Sequence, residues 1–313
     1  IVLLTMNLKK PKFWDEKNPN IYAYLLQPIS LLIRLFAYFN TKKKSKKFKI
    51  KTICVGNIYI GGTGKTSLSI KINETLSSKN FKTCLIKKFY KNQIDEQKLL
   101  EKNGKLFLSN ERINAIKQAE NEDYQIAIID DGLQDSSINY DVSFVCFNNI
   151  NWIGNGMTIP SGPLREPLNS LKKYKNVFIN GNLENIENLK KEIFKVNHNI
   201  NIHIGKYQPI NLDEFDKDNK YIAFSGIGNH HTFMSMLKIN GIKIVKEIEF
   251  PDHYEYSEKD VNKILAEANK LKSKILTTEK DYLRIKSKNL SQIKFIKSEL
   301  KIMNEDKFFK SLI

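Results

Sequence analysis

The longest apolar stretch of the chain lies near its N-terminus, at residues 21–39. Four residues interrupt it, namely Gln27, Pro28, Ser30 and Arg34. Because a membrane-spanning helix needs about 20 uninterrupted apolar residues, this stretch is not predicted to cross a bilayer. After Pro28 the pattern predicts an apolar helix over residues 29–39.

Beyond residue 50, short apolar runs alternate with helical patterns. The runs predict strands, and the patterns between them predict helices. The predicted strands are Lys51–Val55, Lys82–Phe89, Gln125–Ile129, Asp141–Phe147 and Lys175–Asn180, and the predicted helices are Lys65–Ser78 and Arg112–Glu120. Strands that alternate with helices form a parallel sheet covered on both faces. The sequence therefore predicts an α/β domain over residues 51–200.

A second, smaller α/β domain is predicted over residues 201–313. It begins with an extended connector at Asn201–Tyr207. The predicted strands are Tyr221–Phe224, Ile244–Phe250 and Lys274–Thr277, and the predicted helices are Thr232–Asn240, Glu258–Leu271 and a terminal helix from Asp306. Together with an N-terminal apolar helix and basic segment at residues 1–50, this divides the chain into three parts.

The net charge of the chain indicates which classes of partner it can bind. Its 313 residues carry a formal net charge of +17, almost entirely from lysine. Such a protein can bind nucleic acid, an anionic membrane or a phosphorylated ligand, or its charge can be a matter of composition alone. Lysines spread along the whole chain, with only four arginines, do not form the arginine and aromatic platform of a nucleic-acid-binding protein. We therefore expect no nucleic acid partner.

Seven lysines follow the apolar helix, between Lys42 and Lys51. An apolar helix beside a lysine cluster is typical of proteins that lie on an anionic membrane surface, where each nearby charge adds about 1 kcal/mol. The alternative is a helix packed on its own domain, with a solvated loop behind it. We favour the anionic membrane surface as a partner.

The cysteines, the histidines and the first residues of the chain give further predictions about the protein's surroundings and metal content. Cys54, Cys84 and Cys146 lie in apolar runs without a CxxC spacing, which is typical of buried thiols in a reducing cytosol. The five histidines show no zinc-type pairing, so no structural metal is expected. Residues 1–4 are too short for the apolar core of a cleavable signal, and Met6 is interpreted as the true start.

The stretch NIYIGGTGKT, residues 57–66, has the form of a phosphate-binding loop between a strand and a helix. Its glycines let backbone N–H groups face a phosphate, Lys65 can reach the outer oxygens, and Thr66 can bind Mg²⁺. Tyr59 stands where the GxxxxGK[ST] pattern has its first glycine. The alternative is a glycine turn with an incidental lysine. The predicted nucleotide-binding residues are Tyr59, Ile60, Gly61, Gly62, Thr63, Gly64, Lys65 and Thr66.

A second motif, IAIIDD at residues 126–131, predicts a buried strand with two carboxylates at its carboxyl end, where ligands bind in parallel sheets. One of Asp130 and Asp131 is expected to hold Mg²⁺, and the other to orient it or to poise a nucleophile. The alternative is an aspartate that only caps the turn at Gly132. The two motifs predict a P-loop NTPase-type sheet, but they leave kinases, GTPases and transport ATPases open.

Five further segments follow in a fixed order. They are DDGLQ at 130–134, SGPLREP at 161–167, GIGN at 226–229, FPDHY at 250–254 and TTEKD at 277–281. With GNIYIGGTGKT before them, this set resembles the bacterial lipid A 4′-kinase family, tetraacyldisaccharide 4′-kinase. The resemblance runs from the apolar helix to about Arg284, and the family also accepts a non-glycine at the position of Tyr59.

The resemblance implies a fold and an activity. The fold is a P-loop kinase domain at 51–200 and a smaller α/β domain at 201–313, joined by a short β linker. The activity is transfer of the ATP γ-phosphate, with Mg²⁺, to the 4′-hydroxyl of a tetraacylated glucosamine disaccharide 1-phosphate. The acceptor is thus an acylated lipid, met at the cytoplasmic face of the bacterial inner membrane by a peripheral protein, which we expect to be a monomer.

The resemblance also implies roles for individual residues. Lys65 and Asp131 are expected to act in catalysis, and Asp95 is expected to be an acceptor base assisted by His253. The expected metal-binding residues are Thr66, Asp130 and Asp131, and the expected substrate-binding residues are Gln134, Arg165 and Glu166. An Asp–His pair suits phosphoryl transfer, because the acceptor hydroxyl has to lose a proton. A surface acid at Asp95, a turn histidine at His253 and a surface ion pair between Arg165 and Glu166 are the alternatives.

The chain departs from the family's pattern at several positions. Asp135 replaces the usual histidine after DDGxQ, and His230 replaces the proline after GIGN. The segment before Asp95 is shortened to Lys88-Phe89-Tyr90 and lacks the glycine and proline of GDEP. All these changes lie away from the nucleotide-binding residues.

A different class of protein, the ParA- or MinD-like ATPase switch, has a similar glycine-rich loop and binds DNA or membranes. In that class a lysine directly precedes the two glycines of the loop, whereas this chain has Ile60 there. The sequence therefore favours the lipid kinase.

Overall fold

The computed structural model describes residues 10–40, 45–91 and 93–313. The predictions about a signal segment and about Met6 concern residues 1–9, and part of the lysine cluster is Lys42–Lys44. These residues lie outside the described ones. The described chain builds two sheets, one of eight strands and one of four.

The large sheet has the order β12-β7-β6-β5-β1-β4-β2-β3. All its neighbouring strands are parallel except β12, which is antiparallel to β7. Its strands are β1 Lys51–Gly56, β2 Thr83–Lys88, β3 Leu106–Ser109, β4 Ile126–Asp130, β5 Val142–Asn148, β6 Asn176–Asn180, β7 Asn201–Pro209 and β12 Ser298–Ile302. The predicted α/β fold with a parallel sheet is therefore confirmed.

The small sheet has the order β11-β10-β8-β9, and its neighbouring strands are parallel. Its strands are β8 Lys220–Ser225, β9 Lys243–Glu249, β10 Lys274–Thr278 and β11 Ile293–Ile296. The helices of the two units are α1 Ile21–Asn40, α2 Lys65–Ser77, α3 Ile94–Lys102, α4 Arg112–Asn121, α5 Ile186–Val196, α6 His230–Ile239, α7 Glu258–Lys270, α8 Glu279–Tyr282 and α9 Glu305–Lys310.

Both faces of the large sheet are covered by helices, as expected for a parallel sheet. Strand β4 lies between β1 and β2 and is buried along its whole length. Its side chains alternate: Ile126 and Ile128 pack on the α2 face, whereas Ala127 and Ile129 pack on the α4 face. Because neighbouring parallel strands end at the same edge, this central position brings the ends of β1, β2 and β4 together.

The segment predicted as an extended connector is β7, which pairs with β6 over four residues. The last strand, β12, pairs with β7, and α9 follows it. Phe308 of α9 is buried against Phe144 of β5, with ring centroids 5.5 Å apart. The predicted terminal helix therefore packs on the large sheet, because its apolar side chains complete the core there. The division into domains at residues 50 and 200 stays a prediction.

The apolar helix α1 begins earlier than predicted. Asn20 accepts a hydrogen bond from the Ala23 N–H at 3.2 Å and starts the helix, which then continues through Pro28. The small residues Ala23 and Ser30 are buried, and Ser30 Oγ donates to the Thr158 carbonyl at 2.9 Å. In the described part of the chain, no helix combines the length and the apolar character needed to cross a membrane.

Candidate active site

The glycine-rich loop lies between β1 and α2, at the carboxyl edge of the large sheet. Gly64 precedes α2 with φ of 77°, a left-handed conformation that favours glycine. Asn57 Nδ2 donates to Thr63 Oγ1 at 2.9 Å, and Asn180 Nδ2 donates to the Thr63 carbonyl at 2.7 Å. A Cβ at Gly64 would lie only 2.5 Å from that Asn180 nitrogen. The buried side-chain amides of Asn57 and Asn180 therefore hold the loop in a conformation whose backbone can surround a phosphate.

Tyr59 does not direct its side chain into this loop. The ring is buried, its hydroxyl donates to Asp15 Oδ1 at 3.1 Å, and the Lys10 ammonium contacts the same hydroxyl. The backbone of Tyr59 pairs with Leu164, and the Ile60 N–H donates to the Pro163 carbonyl at 2.8 Å. The unusual tyrosine thus ties the loop to the segment before α1 and to the loop that carries Arg165.

Asp130, the last residue of β4, is fully buried. Its carboxylate accepts from Thr66 Oγ1 at 3.4 Å and from Ser69 Oγ at 3.3 Å. Lys87 of β2 donates to Asp130 Oδ2 at 2.7 Å and to Glu96 Oε2 at 2.7 Å. Burial by itself lowers the pKa of Lys87, but the Asp130 and Glu96 carboxylates outweigh this effect and raise it. The lysine is therefore a fixed cation between two acids.

Asp131 follows directly, with a left-handed φ of 56°. Its Oδ1 lies 3.8 Å from Lys65 Nζ and accepts a hydrogen bond from Arg165 Nη1 at 2.9 Å. Burial by itself raises the pKa of Asp131, but the charges of Lys65 and Arg165 hold it well below its ordinary value. The side chain is therefore an ionised acceptor between two cations.

Gln134, Arg165 and Glu166 form one hydrogen-bonded group. Arg165 Nη1 donates to Gln134 Oε1 at 3.0 Å, and Gln134 Nε2 donates to Glu166 Oε1 at 3.1 Å. The same Gln134 nitrogen lies 2.9 Å from the Asn57 carbonyl of the phosphate-binding loop. The three residues predicted to bind the substrate are thus brought together beside that loop.

Asp95 and His253 meet across the two units. Asp95 lies in the first turn of α3, and His253 follows β9 with a left-handed φ of 58°. His253 Nδ1 lies 3.3 Å from Asp95 Oδ1. Burial by itself raises the pKa of Asp95, but the hydrogen bond from His253 and the charge of Arg284 hold it well below its ordinary value. The pair is therefore a carboxylate and an imidazole in contact.

The loop at residues 226–229 covers one side of the phosphate-binding loop. A Cβ at Gly62 would lie 2.7 Å from the Gly228 carbonyl carbon, and Asn229 Nδ2 donates to the Gly62 carbonyl at 3.2 Å. Only glycine permits this approach of two backbones. The small unit thus contributes to the wall of the site.

The family described as LpxK, tetraacyldisaccharide-1-P 4′-kinase, matches residues 22–313. The chain belongs to this family. A tetraacyldisaccharide 4′-kinase of Pelagibacter ubique (strain HTCC1062) is 57% identical to it over 98% of each chain. A Rickettsia felis protein with the same description is 33% identical, over 96% of this chain and 95% of its own.

A solved structure gives the same fold. It is described as the "apo" form of LpxK from Aquifex aeolicus in complex with ATP, and it covers 93% of this chain and 98% of its own. The sequence identity is 24%, and the TM-score is 0.66. Membership of the LpxK family confirms the predicted P-loop fold and kinase class, and it does not favour the ATPase switch.

The departures from the usual LpxK pattern have local explanations. Asp135 accepts from Arg112 Nη1 at 3.2 Å, and Arg112 Nη2 donates to the Asp131 carbonyl at 2.6 Å. The acid thus orients an arginine behind Asp131. His230 begins α6, and its Nδ1 lies 2.7 Å from Ser225 Oγ in the interior. Both substitutions are accommodated by buried partners.

Sequence reasoning missed several charged residues of this LpxK site. Lys87 and Glu96 link Asp130 to α3, and Arg284 contacts Asp95 from the small unit. A signal for Lys87 existed, since a charge inside an apolar parallel strand requires a buried partner. The signal for Arg284 was weaker, because a lone arginine in a lysine-rich chain only suggests a particular partner.

Proposed function

We propose that the protein transfers the γ-phosphate of ATP to the 4′-hydroxyl of a tetraacylated glucosamine disaccharide 1-phosphate. One observation carries this proposal. Two ion pairs of 2.7 Å join Asp130, at the phosphate-binding end, through Lys87 to Glu96, which is the neighbour of Asp95 on α3. A triphosphate in the loop and a hydroxyl at Asp95 would therefore lie at one site, as phosphoryl transfer requires.

The loop residues suit a nucleotide. The N–H groups of residues 61–66, at the start of α2, can cradle the phosphates, and Lys65 can neutralise charge on the outer ones. The solved Aquifex aeolicus relative, described as a complex with ATP, supports ATP as the donor. The side chain of Tyr59 is directed away from this cradle, so its part in nucleotide binding is that of its backbone.

The donor set also suits Mg²⁺. Thr66 Oγ1 and Asp130 Oδ2 lie 3.4 Å apart, and Asp131 follows. All are oxygen donors, which Mg²⁺ prefers. Among the described residues, no group of three or more His, Cys, Asp or Glu side chains could hold a metal ion by itself. Proteins usually bind Mg²⁺ through one or two carboxylates together with waters and substrate phosphates. Such an ion would neutralise charge on the phosphates.

The acceptor side would be formed by Gln134, Arg165 and Glu166, with the Asp95–His253 pair to receive the proton. Arg165 already donates to Asp131 at 2.9 Å, so its guanidinium faces the phosphate-binding end. An arginine in this position can donate to phosphate oxygens as charge develops. These roles follow the family resemblance and the arrangement of charges together.

The lipid would approach from α1. Its exposed stripe consists of apolar side chains at helical spacing, which include Ile21, Leu25, Leu32 and Phe36. Between α1 and residues 156–167 lies a cavity of about 160 Å³, with Ser30 and Arg34 on one side and Pro167 on the other. Because Arg165 is two residues from Pro167, a lipid held by α1 would reach the acceptor side.

We propose that the protein acts as a monomer on the cytoplasmic face of the inner membrane.

An assay tests the reaction directly. The purified protein is mixed with ATP, Mg²⁺ and tetraacylated disaccharide 1-phosphate in detergent micelles. A product that carries a second phosphate on the 4′ position, identified by mass spectrometry and phosphorus NMR, is the expected result. ATP consumption without a phosphorylated lipid would contradict the proposal and would favour an ATPase.

The exposed stripe of α1 gives a further prediction. The triple variant Leu25→Ser, Leu32→Ser and Phe36→Ser should bind vesicles of anionic phospholipid at least tenfold more weakly, because each side chain loses about 1–2 kcal/mol of apolar burial. Binding is measured by vesicle co-sedimentation.

A matched control replaces three exposed apolar residues elsewhere, in the variant Ile210→Ser, Ile239→Ser and Met303→Ser. This variant should bind the vesicles like the wild type. Equal weakening in both triple variants, or none in either, would argue against α1 as the membrane contact.

A further inference from the structure

Helix α1 has two faces of different character. Four of its residues line the cavity beside residues 156–167, at positions i, i+3, i+4 and i+7, namely Gln27, Ser30, Leu31 and Arg34. Residues with this spacing share one face of a helix. The exposed apolar stripe that contains Leu25, Leu32 and Phe36 lies on the opposite face. The cavity therefore meets the more polar face of α1, while the apolar stripe faces outward.

Arg34 supplies the charge of this cavity. Among the described residues that line it, Arg34 alone is charged. Within the described ranges of the chain, no carboxylate forms an ion pair with its guanidinium. A guanidinium has five N–H donors and no acceptor, and its planar fork can donate two hydrogen bonds at once to a phosphate. The cavity is therefore suited to an anionic group, and to a phosphate in particular.

The wall opposite α1 is fixed by buried hydrogen bonds. Ser30 Oγ donates to the Thr158 carbonyl at 2.9 Å, and the Ser161 N–H donates to Ser30 Oγ at 3.2 Å. Asn155 Nδ2 donates to the Ser161 carbonyl at 2.9 Å from the other side. All four residues are buried, so these contacts are shielded from water. The cavity wall therefore keeps its position relative to the helix that carries Arg34.

The same wall is joined to the phosphate-binding loop. Leu164 pairs with Thr158 on one side and with Tyr59 on the other. Because paired strands lie about 4.8 Å apart, two such spacings separate Thr158 from Tyr59 by about 10 Å. Two linked sugar rings span a similar length. A disaccharide with one end beside the phosphate-binding loop would therefore reach the cavity with its other end.

We propose that Arg34 is a specificity-determining residue which binds the 1-phosphate of the acceptor disaccharide. The inference rests on the proposed function and names the contact for the end of the acceptor that does not react. The 4′-hydroxyl and the 1-phosphate lie at opposite ends of the disaccharide, so a contact at Arg34 orients the hydroxyl towards the γ-phosphate. Bilayer phospholipids also carry phosphate esters, and the experiment distinguishes these two sources.

Phosphate transfer is compared between two acceptors in micelles of an uncharged detergent. One is the tetraacylated disaccharide 1-phosphate, and the other is the same disaccharide with an unmodified 1-hydroxyl. The wild type should prefer the 1-phosphate by about 10–100-fold in kcat/KM, as expected for hydrogen bonds between charged groups.

Arg34→Gln should reduce this preference to about twofold or less, through a higher KM for the 1-phosphate acceptor. Its KM for ATP should stay within about twofold of the wild type's, because the cavity does not hold the nucleotide. Arg34→Lys should keep part of the preference, since lysine retains the charge but lacks the planar fork. Arg34 is exposed, so both variants are expected to fold.

Lys17→Gln is the matched control, because it removes one positive charge from an exposed residue just before α1. This variant should keep the wild-type preference for the 1-phosphate acceptor. A second measurement is co-sedimentation with vesicles of anionic phospholipid. Arg34→Gln and Lys17→Gln should bind these vesicles equally well.

Three results would overturn the inference. The first is a wild type that phosphorylates both acceptors with equal kcat/KM, and the second is an Arg34→Gln variant that retains the wild-type preference. The third is weaker vesicle binding by Arg34→Gln than by Lys17→Gln with the acceptor preference intact, which would assign Arg34 to the bilayer.

A wild type that phosphorylates neither acceptor would instead refute the proposed function. Equilibrium binding of the two acceptors without ATP, measured for the wild type and Arg34→Gln, needs no phosphate transfer and tests the contact separately. Tighter binding of the 1-phosphate acceptor by the wild type alone supports the role of Arg34. Equal binding of both acceptors by the wild type contradicts it.

Discussion

Replacing Lys65 with alanine is expected to lower kcat for phosphate transfer by about 1000-fold, or about 4 kcal/mol of transition-state stabilisation. Lys65 is the first residue of α2, and its Nζ lies 3.8 Å from Asp131 Oδ1 at the phosphate-binding end. A flexible ammonium at this position can follow the charge that develops on the outer phosphate, whereas backbone N–H groups are fixed. Steady-state kinetics with ATP and the lipid acceptor measure the effect.

The fold should survive this change. Among the described residues, the acid that pairs with Lys65 is Asp131, and Arg165 still neutralises it. Lys71→Ala on the same helix is the control, and its kcat should stay within twofold of the wild type. Among the described residues, Lys71 forms an ion pair with Glu74 alone, one turn along the helix. Normal turnover in Lys65→Ala would refute the assignment of the phosphate-binding loop.

Replacing Lys87 with methionine should lower the free energy of unfolding by about 3–5 kcal/mol, because it removes one partner of a buried ion-pair network. Lys87 is 2% exposed and lies 2.7 Å from both Asp130 and Glu96. Methionine has a similar volume but leaves the two carboxylates without their shared cation. Urea denaturation at neutral pH, followed by circular dichroism, measures the loss.

The loss of unfolding free energy in Lys87→Met should depend on pH. Burial alone raises the pKa of Glu96, but Lys280 and Lys87 hold it at about 2, below its ordinary value of 4.5. A carboxylate with a lowered pKa stabilises the fold above its unfolded pKa and loses that contribution as the pH falls through the folded value. The difference between the wild type and Lys87→Met should therefore narrow as the pH drops from about 4.5 towards 2.

Lys102→Met provides the comparison. Lys102 forms an ion pair of the same length, 2.7 Å, with Glu279, but it lies at the surface. An exposed pair contributes about 0–1 kcal/mol, so this variant should unfold close to the wild type. If both variants lose the same free energy of unfolding, the buried position of Lys87 between two acids does not contribute more to stability than a surface ion pair.

The two central motifs could be predicted because each is local. A glycine-rich turn between a strand and a helix has its geometry encoded in adjacent residues, and Gly64 has the left-handed φ that the motif needs. The acidic strand end is local in the same way, and β4 ends at Asp130 as predicted within one residue. Such short-range patterns identify a P-loop fold before any tertiary contact is known.

Helix α3 could not be predicted in this way. Its nine residues, IDEQKLLEK, are polar enough to resemble a surface stretch. The helix is stabilised by tertiary contacts, with Leu100 in the main core and Glu96 on Lys87. The expected position of Asp95 came from the resemblance alone, and only the fold places it beside His253.

The sequence by itself determined the parallel α/β fold, the phosphate-binding loop and the family, since each depends on periodicity or on residues that are adjacent in the chain. Only the tertiary structure decided which charges meet. Lys87 with Asp130, and Arg284 with Asp95, are separated by 43 and 189 residues. A lysine or arginine in a sequence does not specify its partner, because ion pairs have no local signature, and burial in one fold is what selects the carboxylate that each cation contacts.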